Sequence, residues 1–197
     1  MKPKTYFTPQ RMTRIALLAA VASVLFFQPE ITIIGFYKLD FSNLPVLLGG
    51  FSMGPLAGFI ILLLKSLTGL LHTNSMGVGE LADLIFGTAL MLPAVLIYQR
   101  NKSRKNALIG MIAGTIALII SGMLVNAYLL IPFYTKAMGL TAEMILGMFP
   151  PYIDSLEKML FLATAPFNLL KGVSVSFLTY VLYRHLSPLL HGRAIRA

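Results

Sequence analysis

Apolar residues in this chain run in long blocks, separated by short clusters of proline, glycine and charge. Blocks that are greasy on every side belong to helices with no water-facing stripe. Six are evident: Met12 to Phe27, Asn43 to Phe51, Leu56 to Leu71, Gly79 to Tyr98, Asn106 to Phe133 and Leu156 to Leu186. The second is shorter than the roughly 17 residues a membrane span normally needs. Pro45 suits its first turn, and Gly54-Pro55 makes a tight reversal into the third. The expected architecture is an all-α integral membrane protein of six transmembrane helices. Residues 1–197 form a single membrane-embedded domain.

Lysine and arginine in the connections orient the spans. The N-terminus carries Lys2, Lys4, Arg11 and Arg14, the connection after the fourth span Arg100, Lys102, Arg104 and Lys105, and the C-terminus Arg184, Arg193 and Arg196. The alternate loops are poorer, with Lys38 set against Glu30 and Asp40, and Lys136 and Lys158 outnumbered by Glu143, Asp154 and Glu157. The positive-inside rule makes both termini cytoplasmic and requires an even number of spans. The basic start followed by Ala20-Val21-Ala22 looks like a signal peptide, but cleavage there would leave an apolar region of only Ile15 to Ala19, so an uncleaved first span is expected. Between Tyr134 and Ser155 the connection is long, and Thr141 to Phe149 has the start signal and composition of a short helix ending at Pro150-Pro151.

Composition agrees: 57% of residues are hydrophobic and 12% charged, against about 25% charged in soluble domains. The formal charge of +9 sits in topology clusters, so no nucleic-acid site is expected. Cysteine is absent, which removes disulfides, thiolate metal ligands and a cysteine nucleophile.

Against this background Asn168 and Lys171 are out of place. Lys171 lies ~18 Å from either end of the apolar segment Met159 to Tyr183, beyond the ~6 Å reach of its stem. A lysine at helix centre costs roughly 2.5 to 3.5 kcal/mol on insertion scales. The two residues share a helix face and read as one wall of a binding site in the outer half of the bundle, the alternative being a buried structural pair. Asn126 lies ~9 Å in from Pro132 on the fifth span. Two amides and an ammonium suit the edge of a planar heterocycle bearing carbonyls and an N–H, with Tyr128, Phe133, Phe161 and Phe167 able to supply apolar faces. Glu80 and Asp83 open the fourth span, where carboxylates complement the helix dipole; Glu80 also suits substrate hydroxyls. Lys65 lies at a depth comparable to Asp83 and is expected to pair with it. Small residues four apart, Ala16 and Ala20, Gly54 and Gly58, Gly110 and Gly114, allow close helix approach within the chain or to a partner.

Several chemistries lack their residues. The string ending Leu64-Lys65-Ser66 lacks the second glycine of a P-loop and lies inside a span. No histidine is available at depth as a base, since His72, His185 and His191 fall at span ends or tails. No cluster has metal-ligand spacing, so neither enzymatic activity, a metal nor a cofactor is expected.

Four strings carry a resemblance: FYKLDFSNLPVLLGGFSMGPLAGFIILLLKSL from Phe36 to Leu67, GVGELADLIFGTALMLPA from Gly77 to Ala94, LVNAYLLIPFY from Leu124 to Tyr134, and APFNLLKG from Ala165 to Gly172. They resemble the riboflavin-specific substrate-binding component of energy-coupling factor (ECF) vitamin transporters over nearly the whole chain. The resemblance implies a multi-pass protein of a prokaryotic plasma membrane, embedded in lipid, that captures riboflavin from outside. It would dock onto a membrane coupling subunit carrying two ATPase subunits. Carried over by motif, it implies substrate contacts at Lys38, Leu39, Asp40, Phe41, Asn43, Gly79, Glu80, Asn126, Asn168 and Lys171. Asn126, Asn168 and Lys171 would read the pyrimidine-dione edge, while the loop and Glu80 hold the ribityl chain. It also implies docking to the coupling subunit through Ala16 and Ala20. The remaining readings are a component for another vitamin, a self-sufficient secondary transporter, for which inverted repeats and a coupling-ion site are missing, and a membrane assembly subunit, which leaves Lys171 unexplained.

Overall fold

In the computed structural model, residues 7–28, 31–73 and 75–190 are described, the side chains of His72 and of residues 184–190 excepted. Lys2, Lys4, Glu30, His191, Arg193 and Arg196 of the charge and histidine readings lie outside them. The chain forms α1 (Pro9–Phe27), a hairpin of β1 (Ile31–Ile34) and β2 (Tyr37–Leu39), α2 (Asn43–Met53), α3 (Pro55–Gly69), α4 (Val78–Arg100), α5 (Arg104–Val125), α6 (Ile131–Ala137), α7 (Ala142–Leu146), α8 (Leu156–Met159) and α9 (Ala165–Leu190).

Six apolar helical stretches lie where six spans are expected, but their lengths differ. Four are long and apolar enough to cross a membrane: Pro9–Phe27, Val78–Arg100, Arg104–Ala137 and Leu156–Tyr183. The helices α2 and α3 have 11 and 15 residues, ~16 and ~22 Å by helical rise, and are too short to span ~30 Å of hydrocarbon alone. They meet at Gly54, whose φ of 96° breaks the helix, and Pro55 starts the next.

Helix starts follow their caps. Thr8, Ser103, Thr141 and Ser155 each accept a backbone N–H from the residue three ahead, satisfying a donor that the first turn leaves open. The short helix at Ala142–Leu146 matches the segment read between Thr141 and Pro150. The hairpin is a correction to the all-α reading. Its residues include Ile31, Thr32, Ile33, Ile34 and Tyr37, of strong strand preference, and Gly35 takes the turn at φ 55°.

Two cores result. One runs along the bundle and includes Ile15, Leu47, Phe51, Ile61, Leu90, Met91 and Leu118. The other caps the hairpin end, where Tyr37 and Leu39 pack on Ile145, Phe149, Met159 and Phe167. Facing outward instead is an apolar stripe on α5, Ile109, Ile112, Ile116, Ile120 and Leu124, each roughly half exposed. Gly110 and Gly114 prove to be internal: a Cβ on Gly114 would stand 2.2 Å from the Leu90 carbonyl oxygen, and one on Gly110 2.5 Å from that of Ala94. Gly114→Val therefore forces α4 and α5 apart. Overpacking of this kind costs ~1–3 kcal/mol, and thermal unfolding in detergent should show a lowered midpoint, whereas Ile112→Val on the exposed stripe should leave it unchanged.

Candidate functional site

The site is built where two long helices lose their regular winding. Pro132 and Pro166 have no N–H to bond the carbonyl four residues back, and each ring crowds the preceding turn. In both cases the preceding residue bonds five back instead, Ile131 to Asn126 and Ala165 to Leu160, giving π segments at Asn126–Leu130 and Leu160–Thr164. The first joins α5 to α6 in one 34-residue helix, and the second joins α8 to α9. The extra residue in each turn re-aims the side chains beside it, as single π turns commonly do at functional sites.

Asn126 opens the first π segment; Thr164 closes the second, with Asn168 one turn beyond. All three are buried. Asn126 donates to the Gly122 carbonyl at 2.8 Å, and Asn168 donates to that of Thr164 at 2.9 Å. The helices approach closely here, since a Cβ on Gly122 would stand 2.3 Å from the Asn168 amide nitrogen. Between them enters Tyr37 from β2. Its hydroxyl donates to Asn126 Oδ1 at 3.0 Å and shares a hydrogen bond with Thr164 Oγ1 at 2.5 Å, and its ring stacks on Phe167 with centroids 5.0 Å apart and planes at 20°. Burial, partly offset by the Thr164 bond, pushes the Tyr37 phenol up to about 12, so it remains a donor.

Lys171 is held by Asp40, Nζ to Oδ2 at 2.7 Å, with Asp83 Oδ1 at 3.9 Å. Asp40 also accepts from the Ser42 backbone N–H at 2.9 Å and from the Ser42 hydroxyl. Burial alone would raise the Asp40 carboxyl, but Lys171 and Lys65 outweigh it and hold the group well below the usual carboxylate range. Lys65, fully buried, pairs with Asp83 at 2.6 Å as its depth suggested, and donates to Ser42 Oγ and Asn43 Oδ1, both at 3.0 Å. Two cations and two carboxylates thus balance within one buried cluster.

Above this cluster lies a cavity of about 750 Å³, lined by Phe26, Phe36, Lys38, Gly79, Glu80, Tyr134 and Met148 among others. Strand alternation turns Lys38 toward it while Tyr37 and Leu39 point into the core. Glu80 is fixed by hydroxyls of Thr73 at 2.9 Å and Ser75 at 3.2 Å, and the Gly79 N–H donates to Ser75 Oγ at 2.9 Å. Gly77, at φ 86°, turns the chain into α4.

The residues read from sequence therefore fall into two tiers. Lys38, Gly79 and Glu80 line the cavity; Leu39, Asp40, Asn43, Asn126, Asn168 and Lys171 are buried beneath it, and Phe41 packs half-buried between the two cores. Of the apolar faces expected, Phe167 is in place, but Tyr128 and Phe161 are 79% and 66% exposed and point away from the bundle. The sequence reading missed Tyr37, Thr164 and both π segments, for which Pro132 and Pro166 inside apolar blocks were the available signal. Ala16 and Ala20 lie exposed on α1, while the neighbouring Ala19 and Ala22 are buried.

Taken as a whole, the chain matches a known group of proteins. A family model described as "ECF transporter, substrate-specific component" matches residues 10–183. The chain belongs to this family of S components. It is 32% identical over 183 residues to the riboflavin transporter RibU of Staphylococcus aureus (strain TCH60), covering 92% of both chains. With the riboflavin transporter FmnP of Bacillus subtilis (strain 168) it shares 26% identity over 185 residues, covering 91% of this chain and 93% of the relative. A solved structure of the S component of a bacterial ECF transporter superposes with a TM-score of 0.72 at 32% identity, covering 92% of this chain and 97% of the other. As a member of this transporter family and not of an enzyme family, this S component is a multi-pass plasma-membrane protein.

The charge cluster generates a test. Breaking one partner of a buried ion pair leaves an uncompensated charge and costs ~3–5 kcal/mol, whereas replacing both by apolar groups is often near neutral. Lys65→Met should lower thermal stability in detergent strongly, and Lys65→Met with Asp83→Leu should recover most of the loss. Additive losses in the double variant would show that the pair does not act as a unit.

Proposed function

We propose that this S component captures riboflavin on the outer side of the membrane. It delivers the vitamin inward as the specificity subunit of an ECF transporter whose coupling subunit and two ATPase subunits supply the energy. The observation that carries this reading is the aromatic slot beneath the cavity. A planar ring already occupies it, stacked on Phe167, with a polar edge bonded to Asn126. Riboflavin offers a larger planar ring with a pyrimidine-dione edge of carbonyls and an N–H, followed by a chain of hydroxyls. The relatives named as riboflavin transporters support the same ligand.

In this mechanism the flavin ring takes the place of Tyr37, and the hairpin shifts to release it. The amides of Asn126 and Asn168 then meet the dione edge with both donor and acceptor. An ammonium has three N–H bonds, so Lys171 can keep Asp40 while turning another toward a flavin carbonyl. Glu80 and Lys38, already lining the cavity, take the ribityl hydroxyls. Leu39, Phe41 and Asn43 act by placing the hairpin and the first turn of α2, and Gly79 lets the backbone approach. Both termini are cytoplasmic by the distribution of Lys and Arg, which puts the hairpin end outside. The exposed face of α1 around Ala16 and Ala20, small enough for close helix approach, docks on the coupling subunit.

Titration of purified protein with riboflavin should quench the flavin fluorescence to saturation. Asn168→Ala should weaken binding at least tenfold while the protein stays folded, and Lys171→Ala should weaken it at least tenfold with a lowered unfolding midpoint, because Asp40 loses its buried partner. Tyr37→Ala should speed association, because no ring has to leave the slot. An unchanged affinity in Lys171→Ala and Asn168→Ala together would sink the assignment of the ring edge. Ala16→Trp should spare flavin binding and impair uptake by the assembled transporter.

A further inference from the structure

At the end of the bundle opposite the hairpin, a second cavity of about 280 Å³ lies between the start of α5 and the later turns of α9. Lys102, Ser103, Arg104, Tyr98, Tyr180 and Tyr183 are among its lining residues. It takes no part in the riboflavin site. The hydroxyls of Tyr98 and Tyr183 stand 3.2 Å apart, and Lys102 and Arg104 are exposed. A further cavity of about 360 Å³ continues deeper along the same pair of helices, walled by Leu108, Ile112, Ile119, Val173 and Phe177 among others. The two share Met111 and Tyr180, so they adjoin.

We infer that these adjoining cavities hold one anionic phospholipid, its phosphate at Lys102 and Arg104 and an acyl chain in the groove between α5 and α9. Three observations select this occupant. Within the span of α5 the groove faces hydrocarbon, so its neighbours are acyl chains. From Leu108 to Ile119 it runs ~16 Å by helical rise, close to the ~15 Å half-thickness of a bilayer core. Its mouth carries two cations and tyrosine hydroxyls, and among the described residues no carboxylate lines either cavity. Basic pockets between membrane helices are a recurring way of holding acidic headgroups. The wall also includes Ser176, which is buried and whose hydroxyl has no hydrogen-bond partner among the described residues. It lies one helical turn from Tyr180, toward the level where a phospholipid carries its ester groups.

The test uses the full chain in detergent, with native mass spectrometry and thermal unfolding as readouts. Phosphatidylglycerol, phosphatidylcholine and glycerol 1-phosphate are compared as probes. Phosphatidylglycerol should be retained at least tenfold better than phosphatidylcholine and should raise the unfolding midpoint, while glycerol 1-phosphate does neither. Lys102→Gln with Arg104→Gln should abolish that preference, and Val173→Trp, which fills the groove from an exposed position, should lower phosphatidylglycerol retention at unchanged charge. Riboflavin titration should be unaffected in both variants, which separates this site from the vitamin site. Equal retention of the two lipids by the wild type, or a preference that survives the double substitution, overturns the inference. A midpoint raised equally by glycerol 1-phosphate overturns it too, since the site would then bind a free anion.

Discussion

The structure depends on two lysines and two carboxylates that neutralise one another where no water reaches them. Lys65 and Asp83 join α3 to α4, and Lys171 and Asp40 join α9 to the segment after the hairpin. Ser42 and Asn43, at the start of α2, accept from Lys65 and connect the pairs. Each charge alone would be costly in an apolar bundle. Together they hold short helices that lack the length to be anchored by the bilayer. The same cluster sets the floor of the candidate site, because the segment that contributes Asp40 begins three residues after Tyr37 and ends where α2 starts.

Proline then does what charge cannot. Pro132 and Pro166 impose the same deformation on two facing helices, and Asn126 in one π segment and Thr164 in the other meet at the Tyr37 hydroxyl, with Asn168 one turn beyond. Tyr37 comes from the hairpin, so rigid helical amides and a more exposed strand share one slot. This division suits the proposed capture of a ligand: the candidate recognition groups are fixed by packing, and the element proposed to shift is a two-stranded hairpin whose first strand is largely exposed. The Thr73, Ser75 and Glu80 hydrogen bonds serve the upper tier in the same way, holding a carboxylate in place at the rim of the cavity.

The far end of the bundle obeys a different logic. There Lys102 and Arg104, basic residues of the connection between α4 and α5, line a tyrosine-walled cavity that adjoins an apolar groove between α5 and α9. Orientation signals and lipid contacts thus use the same side chains, for the electrostatic reason that acidic headgroups sit at that level.

Much was legible before any coordinates. Apolar block length marked helices and their order, caps marked their starts, and a cation and amides at depth marked α9 and the end of α5 as a candidate site, because each is governed by local chemistry or by the cost of burying a polar group. The Lys65 and Asp83 pairing was also within reach, since helical rise fixes depth. The hairpin was not, because the short, largely exposed stretch Ile31–Ile34 reads equally well as a loop. Nor was the outward direction of Phe161 read, while that of Tyr128 follows from its place two residues after the buried Asn126, on the opposite side of the helix. The sequence by itself determined which groups are too polar for their surroundings and therefore need partners. Only the tertiary structure decided which partners they take, Asp40 for Lys171 and Tyr37 for Asn126, because those pairs span 131 and 89 residues and meet only when proline-deformed helices and a hairpin pack against one another.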